Sequence, residues 1–151
     1  LTDRNMTRFI MSVDETVKLV QKSLEIAKGG EVFVTKMPAI KIKDLAEVMV
    51  SQLGSELLNQ TGPIEIKEIG KQSGEKLFEE LMTKDESKRA IETDEFFMIL
   101  PAFHEYYSRT IVGCENVSDQ TTGESYVSEN GPYLSKEKLA KFLLDNNVFN
   151  N

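Results

Sequence analysis

Arg8 follows Thr7 and precedes Ser12-Val13-Asp14-Glu15, a run that reads as a capping box at the start of a helix. A guanidinium beside exposed helix amides suits a forked contact with phosphate oxygens, and a diphosphate would fill such a fork. The same side chain would serve equally in a surface pair with a carboxylate, as most arginines do. Gly70-Lys71-Gln72-Ser73-Gly74-Glu75-Lys76 is the second candidate. Its glycines would let backbone approach a ligand if it joined a strand to a helix, and an ordinary connection is the plainer reading. His104 beside Glu105 has the makings of a general base, yet a satisfied loop histidine explains it better. Cys114 has no basic activator nearby, and with His104 it cannot complete a structural zinc site. No catalytic or metal-ligating residue is expected in this chain.

The elements that would position these residues follow from periodicity. Val13, Val17, Val20, Leu24 and Ala27 recur at three- and four-residue steps, which predicts a helix from Ser12 to about Lys28 with that stripe buried and Gly29-Gly30 as its stop. Val32-Phe33-Val34 predicts a strand that Met37-Pro38 ends. Leu45, Val48, Met49 and Leu53 predict a second helix, broken at Gln60-Thr61-Gly62-Pro63. Ile64, Ile66 and Ile69, interleaved with charged residues, predict a half-buried strand. Leu77, Phe78, Leu81 and Met82 predict a short helix, Phe96 to Leu100 a buried strand ending at Pro101, and Ser135 the cap of a last helix carrying Leu139, Phe142 and Leu143. Between Pro101 and Leu134 no periodicity is strong, and a stretch of that length usually serves binding, a lid or assembly. The fold class expected is α/β, in one domain made of residues 1–100 and a C-terminal extension, 101–151.

The balance of charge narrows the partners. A formal net charge of −7 over 151 residues argues against a nucleic-acid binder, because phosphate neutralisation needs clustered Lys and Arg. The single cysteine excludes an intrachain disulfide and fits a reducing compartment. No apolar run approaches the ~20 residues needed to span a bilayer, and the N-terminus lacks the layout of a signal peptide. A cytoplasmic domain without direct membrane insertion is expected. Leu1 opens at once into a dense polar and aromatic stretch, as a segment internal to a larger protein would.

Three blocks carry a resemblance: Met6-Thr7-Arg8-Phe9-Ile10-Met11, then Lys36 to Ala46, then Gly74 to Met82. In this order, with Ile91-Glu92-Thr93-Asp94 following, they resemble the polysaccharide-biosynthesis dehydratase/epimerase group of extended short-chain dehydrogenase/reductases. The resemblance covers about the first hundred residues. It implies a small mixed α/β substrate-binding domain lacking most of the Rossmann sheet. It also implies a parent acting as a UDP-N-acetylglucosamine 4,6-dehydratase in surface polysaccharide biosynthesis, or as a UDP-sugar 4-epimerase. Arg8 would then hold the UDP diphosphate, with Met6 and Thr7 along the same edge. The family's arginine-proline-glycine-glutamate turn reads Gln72-Ser73-Gly74-Glu75 here, so Glu75 can still accept ribose hydroxyls while Gln72 offers only neutral hydrogen bonds, which Lys71 would offset. The glycine-rich dinucleotide fingerprint and the Tyr-x-x-x-Lys pair do not occur. The chain alone would therefore bind no cofactor, and NAD(P) would belong to an N-terminal Rossmann domain of the parent, itself a homo-oligomer. The contrasting expectation is a non-catalytic interaction domain using the aromatic residues after Pro101.

Overall fold

The computed structural model describes residues 1–53, 64–102 and 123–148, and it is a mixed α/β structure. Among the described residues the strands are β1 (Thr7–Phe9), β2 (Val32–Thr35), β3 (Ala39–Lys41), β4 (Glu80–Met82), β5 (Ala90–Glu92), β6 (Phe96–Ile99) and β7 (Tyr126–Val127). The helices are α1 (Val13–Ile26), α2 (Ile42–Leu53), α3 (Lys84–Ser87) and α4 (Lys136–Asp145). The contacts group the chain into two compact units, each discontinuous in sequence. Unit 1 comprises Leu1–Ile10, Pro38–Glu79 and Ser128–Asn151, and unit 2 comprises Met11–Met37 and Glu80–Val127.

In unit 1 the antiparallel pair β1/β3 aligns Arg8 with Ile40, and α2 leaves β3 directly. Ile40, Val48, Leu139 and Leu143 form its buried cluster, so the helix capped by Ser135 docks on this body. Gly131 lies so close to β3 that a Cβ there would stand 2.9 Å from the Ala39 Cβ, which leaves room only for hydrogen.

In unit 2 a three-stranded antiparallel sheet runs β2-β6-β5, and β4 pairs with β7. Alternate residues of β6 feed two clusters, as the two-residue period of a strand requires. Phe97 and Ile99 join Val34, Met82 and Ala90 on one face, while Phe96 and Met98 join Leu100 on the other. The Tyr126 hydroxyl donates to the Met37 carbonyl and accepts from the Met37 amide, both at 2.8 Å. Burial pushes its pKa up, because the phenolate would lose water.

Three expectations need correction. The Ser12/Glu15 capping box forms and α1 follows, but the Val13, Val17, Val20 and Leu24 stripe is exposed at 79%, 48%, 51% and 76%. The residues of α1 that meet the sheet are Leu19 and Ile26. Residues 64–72 alternate half-buried Ile64 and Ile66 with exposed neighbours, yet they join no ladder: the Leu1 ammonium donates to the Lys67 carbonyl and the Ile69 amide to Leu1. A period of two identifies an extended chain and does not supply its partner strand. Leu77 to Met82 forms no helix, because the Lys76 and Leu77 carbonyls are taken by Arg8 and residues 80–82 pair with β7 as β4. The break at 60–63, His104 and Cys114 lie outside the described residues.

Candidate functional site

The Arg8 guanidinium joins β1 to the segment that follows the Gln72-Glu75 turn, and both belong to unit 1. Its Nη1 donates to the Thr7 carbonyl at 2.7 Å and the Leu77 carbonyl at 3.3 Å, and its Nη2 to the Lys76 carbonyl at 2.9 Å. The Nε lies 3.6 Å from a Glu79 carboxylate oxygen. Of the five guanidinium N–H bonds, three donate to carbonyls, that on Nε only faces the Glu79 carboxylate as an ion pair, and one on Nη2 is left over; the side chain is one-quarter exposed. The Thr7 amide donates to the Leu77 carbonyl at 2.8 Å, and the Phe9 amide reaches Glu79 Oε2 at 3.4 Å. Stretches nearly seventy residues apart in sequence are thus laced together along one edge.

Met6 and Thr7 are buried, so their side chains do not line an open cleft. The Thr7 hydroxyl is bonded to the buried Ser128 hydroxyl at 2.9 Å. Ser128 Oγ also accepts from the Glu79 amide at 2.9 Å, and the Ser128 amide donates to the Glu79 carbonyl at 2.8 Å. Glu79 and Ser128 are residues that sequence reasoning missed. Glu79 stands beside a second glutamate in a run without polar pattern, and Ser128 pairs with a residue 121 positions away. Neither carries a local signal.

The turn closes on itself. The Glu75 amide donates to the Gln72 carbonyl at 3.2 Å, and the Gln72 amide returns a bond to Glu75 Oε2 at 2.9 Å. Gly74 sits at φ +88° with open space where a Cβ would stand, so it is the backbone angle that calls for glycine. No helix follows this turn, which removes the free amides expected there for a phosphate. Gln72, Ser73 and Lys71 are exposed, and Glu75 is half-buried with one carboxylate oxygen engaged. Chemically, the edge offers one guanidinium N–H, the Gln72 amide group, two lysines at 71 and 76, and a free carboxylate oxygen. It can bind through hydrogen bonds and local positive charge. No group of three or more acids, histidines or cysteines placed to hold a metal ion occurs among the described residues.

A family profile described as "Polysaccharide biosynthesis protein" matches residues 1–101. The chain belongs to that family. It is 41% identical over 143 residues to an uncharacterized membrane protein of Methanocaldococcus jannaschii, covering 95% of this chain and 39% of the relative. It is 32% identical over 143 residues to the UDP-N-acetylglucosamine 4,6-dehydratase (inverting) of Campylobacter jejuni, covering 91% and 39%. A UDP-glucose 4-epimerase of Rickettsia akari is 30% identical over 145 residues, at 95% and 40% coverage. Among solved structures, Pen from Bacillus thuringiensis superposes with a TM-score of 0.81 at 36% identity, over 98% of this chain and 41% of its own. The chain spans about two-fifths of the length of these relatives. No helix among the described residues is long and apolar enough to cross a membrane.

Proposed function

We propose that this chain is the substrate-binding portion of a nucleotide-sugar 4,6-dehydratase of the UDP-N-acetylglucosamine class, working in surface polysaccharide biosynthesis in the cytoplasm. The observation that carries the proposal is the lacing of β1 to the Gln72-Glu75 turn through Arg8, in a chain of this family. It ties Arg8 to the Lys76 and Leu77 carbonyls, directly after the turn that carries Gln72 and Glu75. Arg8 would offer its remaining N–H to the UDP diphosphate, Gln72 a neutral amide hydrogen bond, and Glu75 its free oxygen to ribose hydroxyls. Met6 and Thr7 would support this edge from beneath, as buried residues.

NAD(P) would supply hydride removal and return in the parent enzyme, and the turn among the described residues that offered itself for a pyrophosphate does not fit it. The Gly70 to Gly74 turn is followed by no helix start that would cradle a pyrophosphate. The cofactor would then belong to the polypeptide that the relatives carry outside the match, the expected Rossmann partner. A UDP-sugar 4-epimerase parent is the alternative favoured by the Rickettsia relative. A non-catalytic interaction role is favoured by a different observation, the commitment of most of Arg8 to backbone carbonyls.

Calorimetric titration with UDP and UDP-N-acetylglucosamine tests the reading. Weak binding is expected from the intact chain. Gln72→Arg, which restores a charged donor on an exposed turn, is expected to tighten it about tenfold, as a charge-assisted bond of roughly 1.5 kcal/mol would. Binding by neither chain would remove the substrate role and leave the interaction role. No turnover is expected from the chain with added NAD(P).

A further inference from the structure

Within unit 1 an anchored negative charge stands beside the Arg8 guanidinium, and diphosphate binding alone gives it no part. Glu79 faces Arg8 Nε at 3.6 Å through Oε1, and its Oε2 accepts from the Phe9 amide at 3.4 Å. The backbone of Glu79 is held on both sides by Ser128. Its amide donates to Ser128 Oγ at 2.9 Å, and its carbonyl accepts from the Ser128 amide at 2.8 Å. Ser128 is itself fully buried and bonded to the buried Thr7 hydroxyl. Turning the carboxylate away would give up the Phe9 amide and the ion pair, so it stays beside Arg8 when a ligand arrives.

Arg8 does not need this carboxylate to keep its place. Three of its N–H groups are spent on the Thr7, Lys76 and Leu77 carbonyls, which already fix the guanidinium. The separation of 3.6 Å is that of an ion pair and too long for a hydrogen bond, so what Glu79 adds is charge. Its side chain is 43% exposed, and that charge therefore faces the solvent from which a ligand comes.

We propose that Glu79 is a specificity-determining residue that turns the Arg8 edge towards a nucleoside diphosphate esterified to a sugar and away from the free nucleoside diphosphate. The proposal rests on the nucleotide-sugar reading of Arg8 and names what that site rejects. A terminal phosphate loses its second proton near pH 6, so at about pH 7.5 the free diphosphate carries roughly one more negative charge than its sugar ester. Arg8 has one N–H to offer either ligand, so the additional charge gains no additional donor there. The exposed Lys71 and Lys76 attract the more highly charged ligand, and Glu79 opposes them. Transfer of a sugar from such an ester releases the free diphosphate, which makes it the competitor that a site for the ester has to turn away.

The test is titration with UDP and with UDP-N-acetylglucosamine at about pH 7.5, comparing the ratio of the two dissociation constants in this chain and in its variants. Glu79→Gln keeps the shape and an acceptor for the Phe9 amide while removing the charge. It should shift the ratio about threefold in favour of UDP, the factor of one unit of ligand charge acting across roughly 7 Å of solvated protein. Glu79→Ala should shift it in the same direction and serves if the glutamine variant does not fold. Glu65→Gln removes the same charge from an exposed side chain of unit 1 and should leave the ratio unchanged. A ratio that Glu79→Gln does not move, with both ligands still bound, overturns the proposal and leaves the nucleotide-sugar reading standing. Equal weakening of both ligands overturns it as well, because Glu79 would then be a positioning residue for Arg8. So does an equal shift from Glu65→Gln, which would trace the preference to overall charge. Binding of neither nucleotide, by this chain or by Gln72→Arg, removes the proposal together with the reading beneath it.

Discussion

Helices α1 and α4 begin alike and end in opposite situations. Each has a serine cap whose hydroxyl accepts from the third helical amide, and each carries leucines and valines or phenylalanine at helical spacing. Yet α4 buries Leu139 and Leu143 at 0% and 5% exposure against Ile40 and Val48, whereas α1 buries no residue fully. Periodicity establishes that a helix has an apolar stripe; it does not say what the stripe faces. The contrast separates positions at which truncation opens a cavity from positions already in water. The largest expected effect is accordingly Leu139→Ala, which leaves a void beside Ile40 and Val48. A loss of about 3 kcal/mol is expected in urea unfolding. A loss below 1 kcal/mol would mean that α4 contributes no more to this core than α1 does.

Next in size is the cap of the docked helix. Ser135 Oγ accepts from the Lys138 amide at 3.3 Å, and the helix it starts places Leu139 one turn in. Ser135→Ala should cost about 1 kcal/mol. Ser12→Ala breaks a fuller, reciprocal box with Glu15, yet its effect should fall mainly on fraying of α1, read as faster exchange of its first amides. Equal global losses from the two substitutions would erase the distinction between the helices.

These helices also mark how much was legible. The serine caps and the β2 and β6 runs were readable because their causes are local: a hydroxyl facing an amide, β-branched and aromatic runs. The left-handed glycine stop was not borne out, since α1 ends at Ile26 with Ala27 extended, ahead of Gly29 and Gly30. Strands β1 and β3 were not readable, since three residues such as Ala39-Ile40-Lys41 are too short to show a period. Leu77 to Met82 read as helix by spacing, and a guanidinium from residue 8 overrode it by taking two carbonyls. The site followed the same division. Arg8 and the Gln72-Glu75 turn show in their residue types and positions and gain their diphosphate and ribose roles from the family blocks, whereas Glu79 and Ser128 are visible only once folding brings them beside Thr7 and Phe9.

Acid should act on the docked helix through charge rather than packing. A hydrogen bond from Lys136, reinforced by its charge, holds the Glu47 carboxyl of α2 below the usual glutamate range, and the same bond raises Lys136. The Ser135 hydroxyl lowers Glu137. Both carboxyls are then more acidic in the folded chain than in the unfolded one. The stability they lend is present above the ordinary glutamate range and fades as pH falls through their lowered folded values. The pairs are solvent-exposed, so the effect should be small and screened by salt. The protection of α4 amides, corrected for the intrinsic slowing of exchange in acid and followed downward from neutral pH, should fall in that acid window, and Glu47→Gln should flatten the fall. A profile identical in the variant would remove Glu47 as its cause.

The smallest effect is expected where the apolar stripe meets water. Val17→Thr and Val20→Thr keep the branched shape and replace one methyl by a hydroxyl on side chains about half exposed. In a buried seam this swap strands a hydroxyl and costs 1 kcal/mol or more. On the free face of α1 water satisfies the new hydroxyl, and the two changes together should stay within about 0.5 kcal/mol. Urea unfolding of the chain by itself measures this. A loss several times larger would show that the stripe is already covered in the isolated chain, and α1 would then join α4 as a docked helix.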